Sequence, residues 1–311
     1  MVKIVTTSPG FGTAPRVAAR LDELGWTLVR CADAVTLAEQ IEDADFFVVG
    51  LIGPSPEVLD RATRLKGVLK HGVGVDNIDI PACSARTLPV ANTPGANADA
   101  VAELAIGMMF AMARQIPQGH VSVTSGGWDR KAGVQLGGKT LGVVGLGNIG
   151  RKLALLALGL GMMVVATDPY ADAAFAQQHG IELLDLDSVL ARSDYLSLHV
   201  FGGADNAALI NAERLGRMKP GARLLNLARG EVVDLDAVHE ALVGGHLAGA
   251  AIDAYAVEPP DTSHPIFSHP NAIFMPHSGA DTVEALENVG LMNIADMQDL
   301  LDGRRPSRVL N

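Results

Sequence analysis

The stretch from Thr140 to Asp168 restricts the fold more than any other part of the sequence. Leu141-Gly142-Val143-Val144 reads as a buried strand, followed at once by Gly145-Leu146-Gly147-Asn148-Ile149-Gly150 and an apolar helical segment. A strand that enters a helix through a glycine turn is the start of a βαβ unit with parallel strands. Gly145 permits the tight turn, Gly147 lets the backbone approach a pyrophosphate, and Gly150 lets the helix pack close. The helix start at Asn148 and Ile149 then turns unpaired N–H groups toward the phosphates. The next strand, Met163–Thr167, runs into Asp168, 18 residues past Gly150. A carboxylate there accepts both ribose hydroxyls of NAD and repels a 2′-phosphate. Its other reading is a turn or helix-capping aspartate before Pro169. With strand, glycines, helix, strand and acid in order, the unit predicts an NAD site. Arg151, on the helix, is expected to face the pyrophosphate or solvent.

Strands alternate with helical segments over almost the whole chain, which argues for parallel α/β sheets. The first set comprises Val2–Thr7, Thr27–Arg30, Phe46–Gly50, Gly67–Lys70 and Leu88–Asn92, with helical segments such as Thr13–Leu24 and Thr36–Glu42 between the early ones. Thr93-Pro94-Gly95 is a turn signal, and a long helix runs from about Asp99 to Gln115. A polar, glycine-bearing stretch, Ser122–Gly138, leads into the second set: Thr140–Val144, Met163–Thr167, Asp194–Val200, Ala222–Ala228, Gly249–Asp253 and Asn271–Met275. The last helix spans about Asp281 to Leu301. Two α/β domains follow, one from residues 1–92 and one from 93–284, with 285–311 expected to return to the first.

A formal charge of −11 argues against nucleic acid or an anionic membrane as partner, since both attract basic surfaces. Cys31 and Cys83 are the only cysteines, which suits a reducing compartment and two small core residues. The start lacks the apolar stretch of a signal peptide, so the cytoplasm is expected. Val101–Ala113 is too short to span a bilayer, and Leu153–Ala166 is broken by Gly159 and Gly161 into a helix and a strand. Both suit a core or a subunit contact. No HExxH or Cys/His cluster is present, and no metal is expected.

Three side chains follow three strands of the second set. Arg229 closes Leu224-Leu225-Asn226-Leu227-Ala228, Glu258 lies five residues past Asp253, and His277 follows Ile273-Phe274-Met275-Pro276. In open α/β sheets ligands gather at the carboxyl ends of strands, so the three can converge. Histidine is the natural acid/base near neutral pH. A carboxylate on its other nitrogen would fix the tautomer and keep the ring protonated for reduction. Arginine offers a planar fork that matches a carboxylate. Taken singly, each also suits an ordinary surface or structural residue. A short-chain dehydrogenase is excluded, because no tyrosine has a lysine four residues on.

Longer segments carry a resemblance. They are His71-Gly72-Val73-Gly74-Val75-Asp76-Asn77-Ile78-Asp79, Asn92-Thr93-Pro94-Gly95-Ala96-Asn97 with Ala102-Glu103-Leu104, the glycine loop with Asp168-Pro169-Tyr170, Met218-Lys219-Pro220-Gly221 through Asn226-Leu227-Ala228-Arg229-Gly230, and Pro276-His277-Ser278-Gly279-Ala280. Together they resemble the D-isomer-specific 2-hydroxyacid dehydrogenase family, which includes the short D-3-phosphoglycerate dehydrogenases. The resemblance implies two doubly wound parallel-sheet domains: a flavodoxin-like substrate domain completed by the C-terminal helix, and an inserted Rossmann domain that binds NAD and forms a homodimer. It implies an NAD-dependent oxidoreductase interconverting a small 2-keto acid and a D-2-hydroxy acid. Arg229 would bind the substrate carboxylate and carbonyl, His277 would be the acid/base, and Glu258 would pair with it. Val73 and Gly74 would donate N–H groups to the carboxylate. Asp253 would face the nicotinamide amide, with His199 and Ala228 also on the cofactor side.

The chain departs from the family's pattern after His199, where a proline and a threonine are usual and Val200-Phe201-Gly202-Gly203-Ala204-Asp205-Asn206 stands instead. Phe201 is either a substitute wall for the adenosine side or filler. The end at Asn311 gives no expectation of a regulatory domain or serine feedback. Lys70 occupies the place of a cationic phosphate clamp in phosphoglycerate-specific relatives; alternatively it is solvated or pairs locally. Two other readings stand beside this one: an NAD-sensing corepressor-like binding protein, and a formate- or phosphite-type dehydrogenase of the same fold.

Overall fold

Phe46-Phe47-Val48-Val49 has no polar position, and all four side chains are fully buried. A strand apolar on both faces needs cover on both, which a parallel sheet between helices provides. Successive residues alternate between two cores. Phe47 and Val49 pack with Leu37, Cys83 and Val90, whereas Phe46 and Val48 pack with Ile4, Val17, Leu69, Ile294 and Met297.

The computed structural model describes residues 1–311, which divide into two units, 1–97 with 280–311 and 98–279. The first unit holds β1 (Lys3–Thr6), β2 (Thr27–Arg30), β3 (Phe46–Val49), β4 (Gly67–Lys70) and β5 (Val90–Ala91). They form one sheet in the order β2-β1-β3-β4-β5, every pair parallel. The helix Val283–Leu301 closes one face of this sheet. Gly290 is required there, because a Cβ would lie 2.6 Å from Val17 Cγ2. Asn293, fully buried, donates to the Lys70 carbonyl at 3.1 Å and so ties the helix to the end of β4.

The second unit holds β6 (Thr140–Val144), β7 (Met163–Thr167), β8 (Glu182–Leu183), β9 (Tyr195–Leu198), β10 (Ala222–Asn226), β11 (Leu247–Ile252) and β12 (Ala272–Phe274). Their order is β12-β11-β10-β9-β6-β7-β8, again all parallel. The chain leaves β6 toward β7 and later returns on its other side as β9. That reversal is the topological switch point, where ligands bind beyond the carboxyl ends of such sheets. Strand β8 has two exposed residues and no alternation to reveal it in the sequence. The helix Ile116–Thr124 also runs into the stretch read as a polar connection, and it buries none of its side chains.

Two half-buried imidazoles are expected to make the fold acid-sensitive. Burial, helped by the charges of Lys70 and Arg30, pushes His71 down to about 4. Burial alone pushes His199 down to about 4. Each folded-state value lies below the ordinary value of 6.5, so the unfolded chain takes up protons first and stability falls as pH drops from 6.5 toward 4. Each group contributes at most about 1.4 kcal/mol per pH unit within that window. Thermal melts of the wild type between pH 7 and about 4 should show this slope, and His71→Gln should remove roughly half of it. An unaltered slope in the variant would mean that the ring titrates alike in both states.

Candidate active site

In the second unit, Gly145 has φ +94, and a Cβ there would lie 2.5 Å from the His199 carbonyl oxygen. Only glycine lets the ends of β6 and β9 close together. A Cβ on Gly150 would sit 2.1 Å from the Gly145 carbonyl, so the helix Asn148–Gly159 seats directly on the loop. Gly147 differs: a Cβ there would meet nothing within 4 Å. It is the helix N-cap and offers no side chain, so the amides at Asn148 and Ile149 begin the helix without a side-chain cap. An uncapped N-terminus beneath open space suits a pyrophosphate.

Asp168 Oδ2 accepts from Leu146 N–H at 2.8 Å, and Oδ1 from Tyr170 N–H at 2.7 Å. A carboxylate offers about four acceptor positions, so this use as a turn anchor leaves capacity for two ribose hydroxyls. Both readings of Asp168 are therefore compatible. Arg151, expected to face phosphate or solvent, is 35% exposed and is tied to its neighbours. Its Nε donates to the Leu146 carbonyl at 3.1 Å, its guanidinium lies 4.9 Å over Phe175, and Nη1 reaches Asp172 at 3.4 Å. Packing on Phe175 holds it beside the glycine loop, where it binds the Leu146 carbonyl, one peptide on from the N–H that Asp168 holds. His199 Nε2 lies 2.9 Å from Ser197 Oγ, and its buried Nδ1 has no partner. In the loop after it, Asn206 Nδ2 donates to the Phe201 carbonyl at 2.9 Å, while Phe201 itself is 75% exposed.

The three side chains singled out beyond the strands lie on one sheet edge. Asn226 of β10 is level with Ile252 of β11, and Ile252 is level with Phe274 of β12. Adjacent strands are about 5 Å apart. Arg229 and His277 thus leave the same row by the same three residues, on strands flanking the one that leads to Glu258. His277 Nδ1 lies 2.7 and 2.9 Å from the two Glu258 oxygens. This leaves Nε2 for proton exchange, on a ring 45% exposed. His277 has φ +53, a left-handed conformation costly for a side-chain-bearing residue. The following peptides are held by Asp253: its Oδ1 accepts from Ser278 N–H at 2.8 Å and its Oδ2 from Gly279 N–H at 2.9 Å. Burial pushes Asp253 up from the usual carboxylate value, against the lowering effect of those two N–H bonds.

Arg229 sits on a turn stapled by buried Asn226, whose Nδ2 donates to the Arg229 carbonyl at 2.9 Å and whose Oδ1 accepts from Ala228 N–H at 3.1 Å. Arg229 Nη1 donates to the Ala228 carbonyl at 2.8 Å. A Cβ on Gly230 would fall 1.9 Å from the Tyr255 carbonyl carbon, so this turn rests on the Tyr255–Ala256 backbone. Asn226 was not singled out from sequence, although one amide ending an apolar strand was a usable signal. Nothing in the sequence pointed to Tyr255.

Lys70, Val73 and Gly74 belong to the first unit. Gly72 has φ +136, and its carbonyl accepts from Thr93 N–H at 3.0 Å and Oγ1 at 2.9 Å. Asn92 Nδ2 holds the Val73 carbonyl at 2.7 Å. With its carbonyls tied, the loop is suited to offering N–H groups to an anion. Lys70 Nζ donates to the Gly50 carbonyl at 2.8 Å and Asn77 Oδ1 at 3.0 Å.

Residues 106–279 match the family model described as D-isomer specific 2-hydroxyacid dehydrogenase, NAD binding domain. The chain is 38% identical over 318 residues to a D-3-phosphoglycerate dehydrogenase of Methanocaldococcus jannaschii, covering all of this chain and 60% of that protein. It spans about half the length of the next such relatives, 47% and 52%. It is also 38% identical over 260 residues to a hydroxypyruvate reductase of Thermotoga maritima, covering 82% of this chain and 84% of that one. A crystal structure of a Thermus thermophilus protein superposes with a TM-score of 0.90 at 33% identity, over 100% of both chains.

Proposed function

Because the chain belongs to the D-isomer specific 2-hydroxyacid dehydrogenase family, with NAD as its cofactor, we propose that it reduces a small 2-keto acid to the D-2-hydroxy acid and catalyses the reverse oxidation. The observation that carries this reading is the 2.7 Å His277–Glu258 pair on the sheet edge that also bears Arg229. NADH held at the Gly145–Gly150 loop and Asp168 would supply the hydride for the carbonyl carbon. His277 Nε2 gives its proton to the carbonyl oxygen, and solvent reprotonates the exposed ring. Glu258 holds the proton on Nδ1 and stabilises the imidazolium. Arg229 grips the carboxylate and orients the carbonyl. Val73 and Gly74 N–H groups are assigned to the carboxylate, Ala228 and His199 to the cofactor side, and Asp253 to the nicotinamide amide as well as to the His277 loop. Residues 1–92 with 285–311 are assigned the substrate-binding role, and 93–284 the NAD-binding role.

The decisive assay follows NADH oxidation with phosphohydroxypyruvate, hydroxypyruvate, pyruvate and glyoxylate, with the product's configuration read on a chiral column. NADH binding without turnover of any keto acid would favour a binding protein. The relatives' names include phosphoglycerate and hydroxypyruvate enzymes, and Lys70 suits a substrate with a second anionic group. Lys70→Ala should then lower kcat/KM for phosphohydroxypyruvate by about 1.5–3 kcal/mol, roughly 10- to 150-fold, and leave pyruvate nearly unchanged. Its bonds to Gly50 and Asn77 set the competing outcome: equal losses for both substrates would mean that Lys70 only supports the loop.

A homodimer is inferred, with the second copy on the face around Ile116, Val121, Val123 and Trp128, which are 54%, 59%, 57% and 77% exposed. Light scattering of the wild type and a Val121→Glu/Trp128→Ala variant tests it; an unchanged mass would remove this face. No helix is long and apolar enough to cross a membrane, and the cytoplasm, where buried Cys31 and Cys83 stay reduced, is the assigned compartment.

A further inference from the structure

The left-handed backbone at His277 is fastened on its far side by Asp253, and the near side has its own fastening. Tyr255 Oη lies 2.9 Å from the Met275 carbonyl and 3.2 Å from that of Ile252. The Ile252 carbonyl already accepts from Met275 N–H at 2.9 Å. A phenol has one proton to give, and the shorter contact directs it to Met275. Pro276 follows, and its nitrogen has no hydrogen to donate. The edge strand β12 pairs only with β11. The hydroxyl therefore supplies a bond at the point where the chain leaves the sheet, two residues before His277. The same residue's backbone N–H donates to Glu258 Oε1 at 3.1 Å. The ring lies 6.0 Å from that of Phe267, which packs, tilted, 4.6 Å from the ring of Phe274 in β12. Burial pushes the phenol up to about 12, so it remains a donor throughout the working range.

We propose that Tyr255 is a positioning residue for the acid/base pair: its hydroxyl sets the exit of β12 while its amide holds the Glu258 carboxylate, and together they keep His277 Nδ1 on Glu258. The proposal rests on the reaction assigned above. Without the hydroxyl the Met275 carbonyl loses its side-chain donor, His277 is freer to leave its left-handed conformation, and the imidazole separates from the carboxylate.

Tyr255→Phe keeps the ring among the phenylalanines and removes only the bond. It should lower kcat for keto-acid reduction about 5- to 30-fold, with KM for NADH unchanged within about twofold. The limb on which reduction fades as pH rises should move to lower pH, because less of the imidazole stays protonated once its carboxylate is displaced. In a Glu258→Gln background the same substitution should move that limb no further. NMR titration of ¹⁵N-labelled histidine, with His277 identified by its missing signal in His277→Asn, reads the same shift without any substrate. A shifted titration in a protein that turns over no keto acid would support Tyr255 and overturn the assigned reaction. Wild-type kcat with an unmoved titration, or a lower melting temperature with an unmoved titration, would overturn the role of Tyr255.

Discussion

His277→Asn is expected to lower kcat by roughly 10²–10⁴-fold while NADH still binds, the span commonly lost with a general acid. Asparagine preserves much of the polar volume and can still meet Glu258, but it cannot transfer a proton near neutral pH. Most of the residues assigned to the cofactor lie elsewhere: the Gly145–Gly150 loop and Asp168 follow β6 and β7, whereas His277 follows β12, and Asp253 is held by the Ser278 and Gly279 backbone N–H groups, which the substitution keeps. Fluorescence titration with NADH should therefore give a Kd close to the wild type. Near-normal turnover in this variant would remove His277 as the proton donor and leave the pair with Glu258 as structural. Glu258→Gln separates the two contributions, since an amide still accepts from Nδ1 yet cannot stabilise the imidazolium. Its effect should appear as a displaced limb of the pH profile as well as a smaller kcat.

Asp168→Ala should reduce kcat/KM with NADH by on the order of 10²-fold and narrow the preference over NADPH. Two losses combine. The ribose hydroxyls lose a charged acceptor, each such bond being worth about 1.5–3 kcal/mol. The Leu146 amide also loses the carboxylate that holds it at 2.8 Å, leaving only the Arg151 bond to the Leu146 carbonyl, one peptide further on. Removing the negative charge at the same time relieves repulsion of a 2′-phosphate. Asp168→Asn helps to separate these effects, because its single amide oxygen can still accept from one of the Leu146 and Tyr170 N–H groups while the charge is gone. Steady-state kinetics with both cofactors decide the matter. A wild-type enzyme that already prefers NADPH would show that Asp168 serves the turn and not the ribose.

The glycine turn proposed for the cofactor was legible in the sequence because its requirements are local. A turn that must reach φ +94 against a carbonyl, and a helix that must seat on that turn, exclude a Cβ whatever surrounds them. Short apolar runs alternating with helical segments likewise marked the strands and the sheets as parallel. Arg229, Glu258 and His277 were legible as residues just beyond strands. Alternation along a strand states which face a side chain takes, but not which strand lies beside it. That neighbour is set by packing between segments far apart in the chain. Only the tertiary structure placed β9 against β6 and made Asn226, Ile252 and Phe274 one row. The same long-range packing drew Arg151 over Phe175 and gave Lys70 the Gly50 carbonyl and Asn77 as partners. It also put Asp253 and Tyr255 on either side of His277, because a polar group's partner depends on what folding brings within about 3 Å of it.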